Sequence, residues 1–577
     1  MHRDPGTNAR AFRKASMQPA RLIATRYPLH DPNLLRERAM AERRWRFCNE
    51  SSVLSVLTAL ITIGSWLSPR VFAEMPKTAK EIGLEISPET TVITRPLRPD
   101  GFPDYVASLN ETLGRGVERD ENFWVLMWQV IGEARRLEKE RETIETVLQI
   151  RIPETRILKR LEYPETSSPE DFDQFGMLER RIATTPWSRT DCREAARWVD
   201  TNARALDLLQ AAARRPKAFT PLVSTSEPPL SGALLMTIVE FRDAVRLTTT
   251  RAMLRLQEKD LEGSWGDLLT AVHMARHQEN GWCLIEYLIG LACRRQAIDG
   301  LAQWVSRADL TPEQIDARWK ELAPLLKVRP VAAVLERERF MVPDGLLACL
   351  SGRAPLGELI GESSALAALL ESDDPPITRA MKQLRRRLDH AATELVFANS
   401  NVNTTLRTAN QACLDLENAW TPASHRLRAE NLEKLKNRYS REAAFRGTPG
   451  LFFAASLLTH PDQASELAGR ALAAEFVTGV SETENAQTTA EAAVATLRAV
   501  FLLKSHIARG HALPDSLDVL FRDPAENIDP FTEQPLRFRQ SEEGVMIYSV
   551  GPNGRDDEGQ PANGIDGPND IAATLWQ

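Results

Sequence analysis

Two histidines, His273 and His277, stand four residues apart in a stretch with helical patterning, a spacing at which two imidazoles on one helix face can share a metal ion. Met274, Ala275 and Arg276 lie between them, so the glutamate that a zinc protease places after its first histidine is missing, and no third ligand follows. The pair therefore reads as structural, one ring packed and one at the surface. A second concentration of polar chemistry lies near the end of the chain, where Gly551-Pro552-Asn553-Gly554-Arg555-Asp556-Asp557-Glu558-Gly559 combines turn formers with oxygen ligands. Asp566 and Asp570 follow it, and carboxylates crowded in this way repel one another unless a cation or solvent relieves them. Elsewhere there is no GxSxG elbow, no GxxxxGK[ST] loop and no GxGxxG after a strand. The run Arg385-Arg386-Arg387 and the alternation Glu336-Arg337-Glu338-Arg339 read as solvated helix faces or salt-bridged surface. Cys48, Cys192, Cys283, Cys293, Cys349 and Cys413 contain no CxxC pair, which removes the zinc-ribbon and thioredoxin readings and leaves room for at most one incidental disulfide.

The chain that must position these groups has 577 residues, enough for more than one folding unit. Hydrophobic residues at 43% and charged residues at 26% are ordinary for a folded protein, and a net charge of -7 argues against a body built to neutralise phosphates, so no nucleic-acid partner is expected.

A charge-free run over 51–69 has an apolar centre from Val53 to Leu67 and comes after Arg36, Arg38, Arg43, Arg44 and Arg46. A basic flank ahead of an apolar segment holds the N-terminus in the cytoplasm and sends the later part of the chain across the membrane. The core is short for a spanning helix and suits a signal peptide, with Val71 and Ala73 at the small-residue positions of a cut before Glu74. From Met40 the basic region has ordinary signal length. Cleaved signal and retained anchor both remain open, beside a plainer reading as a buried core helix.

Residues 1–50 are expected to be basic and disordered, 51–73 to be a signal peptide or single membrane anchor, and 74–104 to be a linker interrupted by Pro76, Pro88, Pro96, Pro99 and Pro103. A helical body should span 105–480. Its clearest block is 229–326, where Leu234, Ile238, Phe241, Val245, Ala252 and Leu256 recur on one face of a long helix. Leu261-Glu262-Gly263-Ser264 breaks that helix, a second ends near Asn280-Gly281, and a third runs from Leu284 to Val305. Thr311-Pro312-Glu313-Gln314 reads as the capped start of another helix. The expected fold class is mainly α, a multi-helix bundle or irregular helical array, ending in a small C-terminal α+β domain over 485–577.

In that last part a helix over 492–508 precedes a hairpin formed by Leu536-Arg537-Phe538-Arg539 and the strand from Val545 to Val550. Leu513-Pro514-Asp515-Ser516-Leu517, Asp529-Pro530-Phe531, Pro535-Leu536-Arg537-Phe538, Tyr548-Ser549-Val550-Gly551, the acidic loop, Asn569-Asp570-Ile571 and Trp576 then succeed one another. In this order the segment resembles the soluble domain of the major pseudopilin of type II secretion systems. The resemblance implies calcium in the last loop, with Asn553, Asp556, Asp557, Asp566 and Asp570 as ligands and carbonyls completing a shell of six to eight oxygens. Cys48-Asn49-Glu50-Ser51 stands where a pseudopilin carries its processing site, so assembly into a pseudopilus is not implied. The whole chain also resembles uncharacterised large bacterial envelope proteins, which implies an architecture and no activity.

The expected function is a non-enzymatic envelope interaction or scaffold protein, periplasmic or anchored in the inner membrane through 51–69, with other envelope proteins as partners and a connection to secretion. The alternative is a periplasmic hydrolase with an acidic site that no motif marks, and a lipid- or peptidoglycan-associated scaffold is not separable from the first reading.

Overall fold

The structure, a computed structural model, describes residues 77–132, 140–161, 169–224, 226–233, 237–354, 400–443, 461–481, 483–523, 526–541, 544–560 and 569–576. The basic N-terminus, the apolar segment 51–69, Cys48, the run Arg385-Arg386-Arg387 and Asp566 lie outside them. Among the described residues no helix is long and apolar enough to cross a membrane.

Helices α1 (Tyr105–Gly114), α2 (Phe123–Ile131) and α3 (Ala203–Ala213) precede the central block. Asp104 and Asn122 start the first two by accepting amide hydrogens of Ala107 and Trp124, which satisfies donors that a helix start leaves free. The central block consists of α4 (Ile238–Gln257), α5 (Leu261–Glu279) and α6 (Leu284–Arg307), joined by turns of three or four residues. Phe241, Val245, Ala252 and Leu256 are buried as the periodicity requires. The first break falls earlier than expected. Lys259 takes a left-handed φ of 66° and the Asp260 carboxylate accepts from the Gly263 amide at 2.9 Å, so Leu261, Glu262 and Gly263 become the first turn of α5. Helix α7 (Pro312–Leu326) begins at the expected place with a capping box between Thr311 and Gln314.

Two ion pairs tie this block together. Arg251 of α4 makes a two-pronged bond to Asp267 of α5 at 2.9 and 2.6 Å. Arg294 of α6 does the same to Glu279 of α5 at 2.6 and 2.7 Å, with both side chains shut off from solvent. Gly290 allows that approach, because a Cβ there would sit 2.6 Å from the Glu279 amide nitrogen. Helices α8 (Val402–Ala419), α9 (His425–Ala443) and α10 (Pro461–Ser481) build a second core with Leu284, Tyr287 and Leu291 of α6.

Helix α11 (Glu484–Ala508) packs against α6 and α7 and carries the sheet. Strands β1 (Arg537–Ser541), β2 (Gly544–Ser549) and β3 (Ile571–Trp576) are antiparallel in the order β1-β2-β3. The hairpin is legible in the sequence and its third strand is not, since the alternation in Ile-Ala-Ala-Thr-Leu-Trp is weak. Val545, Ile547, Ala573 and Leu575 share one core with Leu497, Val500 and Trp304, and the Trp576 amide donates to the Ser306 hydroxyl of α6 at 2.6 Å. The mainly α class with a small C-terminal antiparallel sheet is thus the observed one.

Residues 77–104 differ from the extended linker expected of their prolines. Phe102 and Thr90 are buried, the Arg353 guanidinium lies over the Phe102 ring, and the Asn410 side chain donates to the carbonyls of Glu89 and Thr90. Proline prevented helices here without preventing packing, because side chains from distant helices satisfy the irregular backbone.

Candidate functional site

Three places in the fold gather groups that could do chemistry. The first is the acidic loop after β2. Asp570, 2% exposed, accepts through Oδ2 from the amides of Asp557 at 3.1 Å and Gly559 at 2.8 Å. Asp557 Oδ2 accepts from the Asn553 side chain and the Asn569 amide, at 2.8 and 3.0 Å. Asp556 instead faces Arg537 and the Tyr548 hydroxyl. Burial, then the charges of Asp557 and Asp556, push the Asp570 carboxyl up. Burial acts in the same sense on Asp556, but the Glu558 amide, Tyr548 and Arg537 outweigh it and its carboxyl is lowered. Among the described residues no three acidic, histidine or cysteine side chains converge to hold a metal by themselves. The candidate ligands therefore separate: Asp570 Oδ1 is buried without a partner, Asp557 Oδ2 is held by two donors, Asp556 is engaged by Arg537, and the side-chain carbonyl of Asn553 accepts from the Arg555 amide.

The second place is the α5–α6 turn. The His277 ring stacks on Phe123 with centroids 5.0 Å apart, and burial pushes its pKa down to about 4; His273 is lowered for the same reason. Both rings are neutral near pH 7, as packed histidines are, and no third ligand stands beside them among the described residues. Around the same turn lie carboxyls that sequence reasoning did not mark as chemical groups. Glu286 and Glu338 are pushed up to about 7 by burial, and Asp344 likewise. Each caps a backbone amide, Glu286 that of Trp282 at 2.9 Å, Glu338 that of Leu284 at 2.8 Å and Asp344 that of Leu230 at 2.8 Å. Glu338 thus departs from the solvated face expected of 336–339, because it turns inward to the start of α6. Glu286 at the third position of α6 carried a helix-start signal; the other two come from distant segments and carried none.

The third place adjoins the second. A cavity of about 70 Å³ opens between α2, the extended segment 218–223 and the α5–α6 turn, with Trp124, Trp128, Phe219, Gln278, Trp282 and Glu286 in its wall. The extended segment is held by two asparagines. Asn122 exchanges a pair of hydrogen bonds with the backbone of Phe219, at 2.7 and 2.9 Å, and Asn110 does so with Leu222 at 2.9 and 2.7 Å. Trp128 adds a bond from its indole nitrogen to the Thr220 hydroxyl at 3.0 Å.

The cysteines offer no nucleophile of ordinary reactivity among those with a resolved shift. Burial pushes the Cys283 thiol far up and those of Cys293 and Cys413 to about 12. Cys192, Cys283, Cys293, Cys349 and Cys413 are free thiols, so no disulfide forms among the described residues.

Comparison with known proteins places this chain in no family: no family model, no curated protein and no solved structure matches it.

Proposed function

We propose that this chain is an exported cell-envelope protein that works by binding, as a scaffold or interaction partner. The observation that carries the reading is the charge-free segment 51–69 behind Arg36, Arg38, Arg43, Arg44 and Arg46 and ahead of Val71 and Ala73, the arrangement of an export signal. The engagement of buried groups in the body supports the binding role. Glu286, Glu338 and Asp344 cap amides, Asp267 and Glu279 are paired with arginines, and His277 is neutral, so these groups hold structure in place. A phosphatase reporter fused after Gln577 tests export: activity is the expected result, and an inactive fusion beside an active cytosolic reporter would reject it.

The pseudopilin-like end is part of the same proposal. Its loop takes a calcium ion through Asp570 and Asp557, and the charge of the ion offsets the repulsion between the two carboxylates. An ion that binds only the folded form stabilises it by about 2.7 kcal/mol when present at roughly a hundredfold its dissociation constant. In a chain of this size that is a rise in melting temperature of about 2–3 °C in millimolar calcium over chelator. Asp570→Ala should abolish the difference, and identical melting of the parent in both conditions would leave the loop without a calcium role.

A further inference from the structure

The end of α11 brings two imidazole rings together. His506 lies in the last turn of the helix, and Gly510 follows with a left-handed φ of 84°, a conformation that a residue with a Cβ rarely adopts. That reversal carries His511 back toward the turn it has just left. Its amide donates to the His506 carbonyl at 3.4 Å, and its ring centre lies 4.7 Å from that of His506, with 33° between the ring planes. His506 is partly exposed and His511 exposed, so a dissolved ion can reach both. The His506 ring is oriented by a bond from Nε2 to the Ala512 carbonyl at 3.1 Å. A carbonyl only accepts, so Nε2 carries the proton and the Nδ1 lone pair of the neutral ring has no partner among the described residues. Metal-ligating histidines are held in this way: one nitrogen donates to a carbonyl or carboxylate, which fixes the tautomer and leaves the other nitrogen for the ion.

The separation of the rings agrees. With metal–nitrogen bonds of about 2.0–2.1 Å and ring centres roughly 1.1 Å beyond the nitrogens, two imidazoles at right angles around one ion have centres about 4.4–4.5 Å apart, and two at the tetrahedral angle about 5.1–5.2 Å apart. The observed 4.7 Å lies between these and nearer the right angle. The surrounding charge also suits a cation. Arg509 is engaged by Asp316 at 2.5 Å and by the Ser505 hydroxyl, and the C-terminal end of a helix favours positive charge. We propose that His506 and His511 together bind one divalent late transition-metal ion, copper(II) most tightly. Copper follows from the near-right angle, which a tetragonal ion uses, and from its place at the top of the affinity order for nitrogen ligands. Among the described residues no third histidine, cysteine or acidic side chain joins the pair, so water fills the remaining positions. The site depends neither on export nor on the binding role proposed above.

The test is a titration of copper(II) into the full chain and into His506→Asn, His511→Asn and the double variant, with bound equivalents read by equilibrium dialysis and coordinated imidazoles by pulsed electron paramagnetic resonance. Copper held elsewhere on the chain is common to all four proteins and cancels in the comparison. Both side chains reach the surface, so the variants should melt as the parent does. Each single variant should lose the same one equivalent, bound by the parent at about 10 µM or tighter, and with it a signal from two imidazoles on one ion. The double variant should lose no more than either single one. Equal copper content in all four proteins would leave the rings as a stacked pair and overturn the proposal. Loss in one single variant but not the other, or two equivalents lost in the double variant, would show histidines acting separately and overturn it as well.

Discussion

Replacing Glu279 by alanine is expected to destabilise the folded chain by about 3–5 kcal/mol, the cost of leaving one partner of a buried ion pair uncompensated. The Arg294 guanidinium is fully buried, and two of its nitrogens point at Glu279 at 2.6 and 2.7 Å while a third reaches the Leu325 carbonyl at 3.2 Å. Without Glu279 that charge keeps one weak neutral acceptor in a region packed by α5, α6 and α7. The pair itself is not a large net gain, because taking two ions out of water costs about as much as their attraction returns. The double variant Glu279→Leu with Arg294→Met should therefore recover most of the loss. Urea unfolding of the three proteins measures both effects. A single variant within about 1 kcal/mol of the parent would mean that the arginine finds water, contrary to its burial.

Asp529→Ala is expected to cost about 2–4 kcal/mol and to loosen the C-terminal sheet before the helical core, as one carboxylate serving several buried donors is lost. Asp529, 2% exposed, accepts from the Ser549 hydroxyl at 2.8 Å, the Val550 amide at 3.0 Å and the Phe531 amide at 2.9 Å. It thereby pins the end of β2 to the turn that leads into β1. Alanine strands these donors where water does not reach; Asn keeps an acceptor oxygen and should lose less. Hydrogen exchange read strand by strand would show Val545 to Ser549 losing protection first. Protection lost equally across α6 and β2 would mean that the sheet has no separate opening and that Asp529 acts on the whole core.

The long helices could be read from the chain because their signals are local. Phe241, Val245 and Ala252 repeat at helical spacing, and Thr311 with Gln314 forms a complete cap within four residues. The start of α5 was displaced by a few residues because a single side-chain bond, Asp260 to the Gly263 amide, outweighed the helix-breaking tendency of glycine. Contacts that depend on distant neighbours were hidden. Nothing in the prolines of 77–104 announces that Asn410 will satisfy their backbone, and nothing near Leu230 announces that Asp344 will cap it. The candidate sites follow the same division. The acidic loop was visible as a run of aspartates, but the sorting of Asp556 toward Arg537 and Asp570 toward the Gly559 amide arises from strand register. The cavity joins residues from five separated segments, so no spacing could reveal it.

The central claim is that the folded body lies outside the cytoplasm, and a membrane-impermeant lysine reagent tests it directly. Lys80 and Lys259 are exposed on the body and should report on the compartment that holds it. Spheroplasts of cells producing the full chain are treated with the reagent before and after lysis, and the body is recovered for peptide mapping. Labelling of Lys80 and Lys259 in intact spheroplasts, or recovery of the body in the periplasmic fraction released as the spheroplasts are made, is the predicted result. Labelling of both lysines only after lysis would place the body in the cytoplasm and contradict the account.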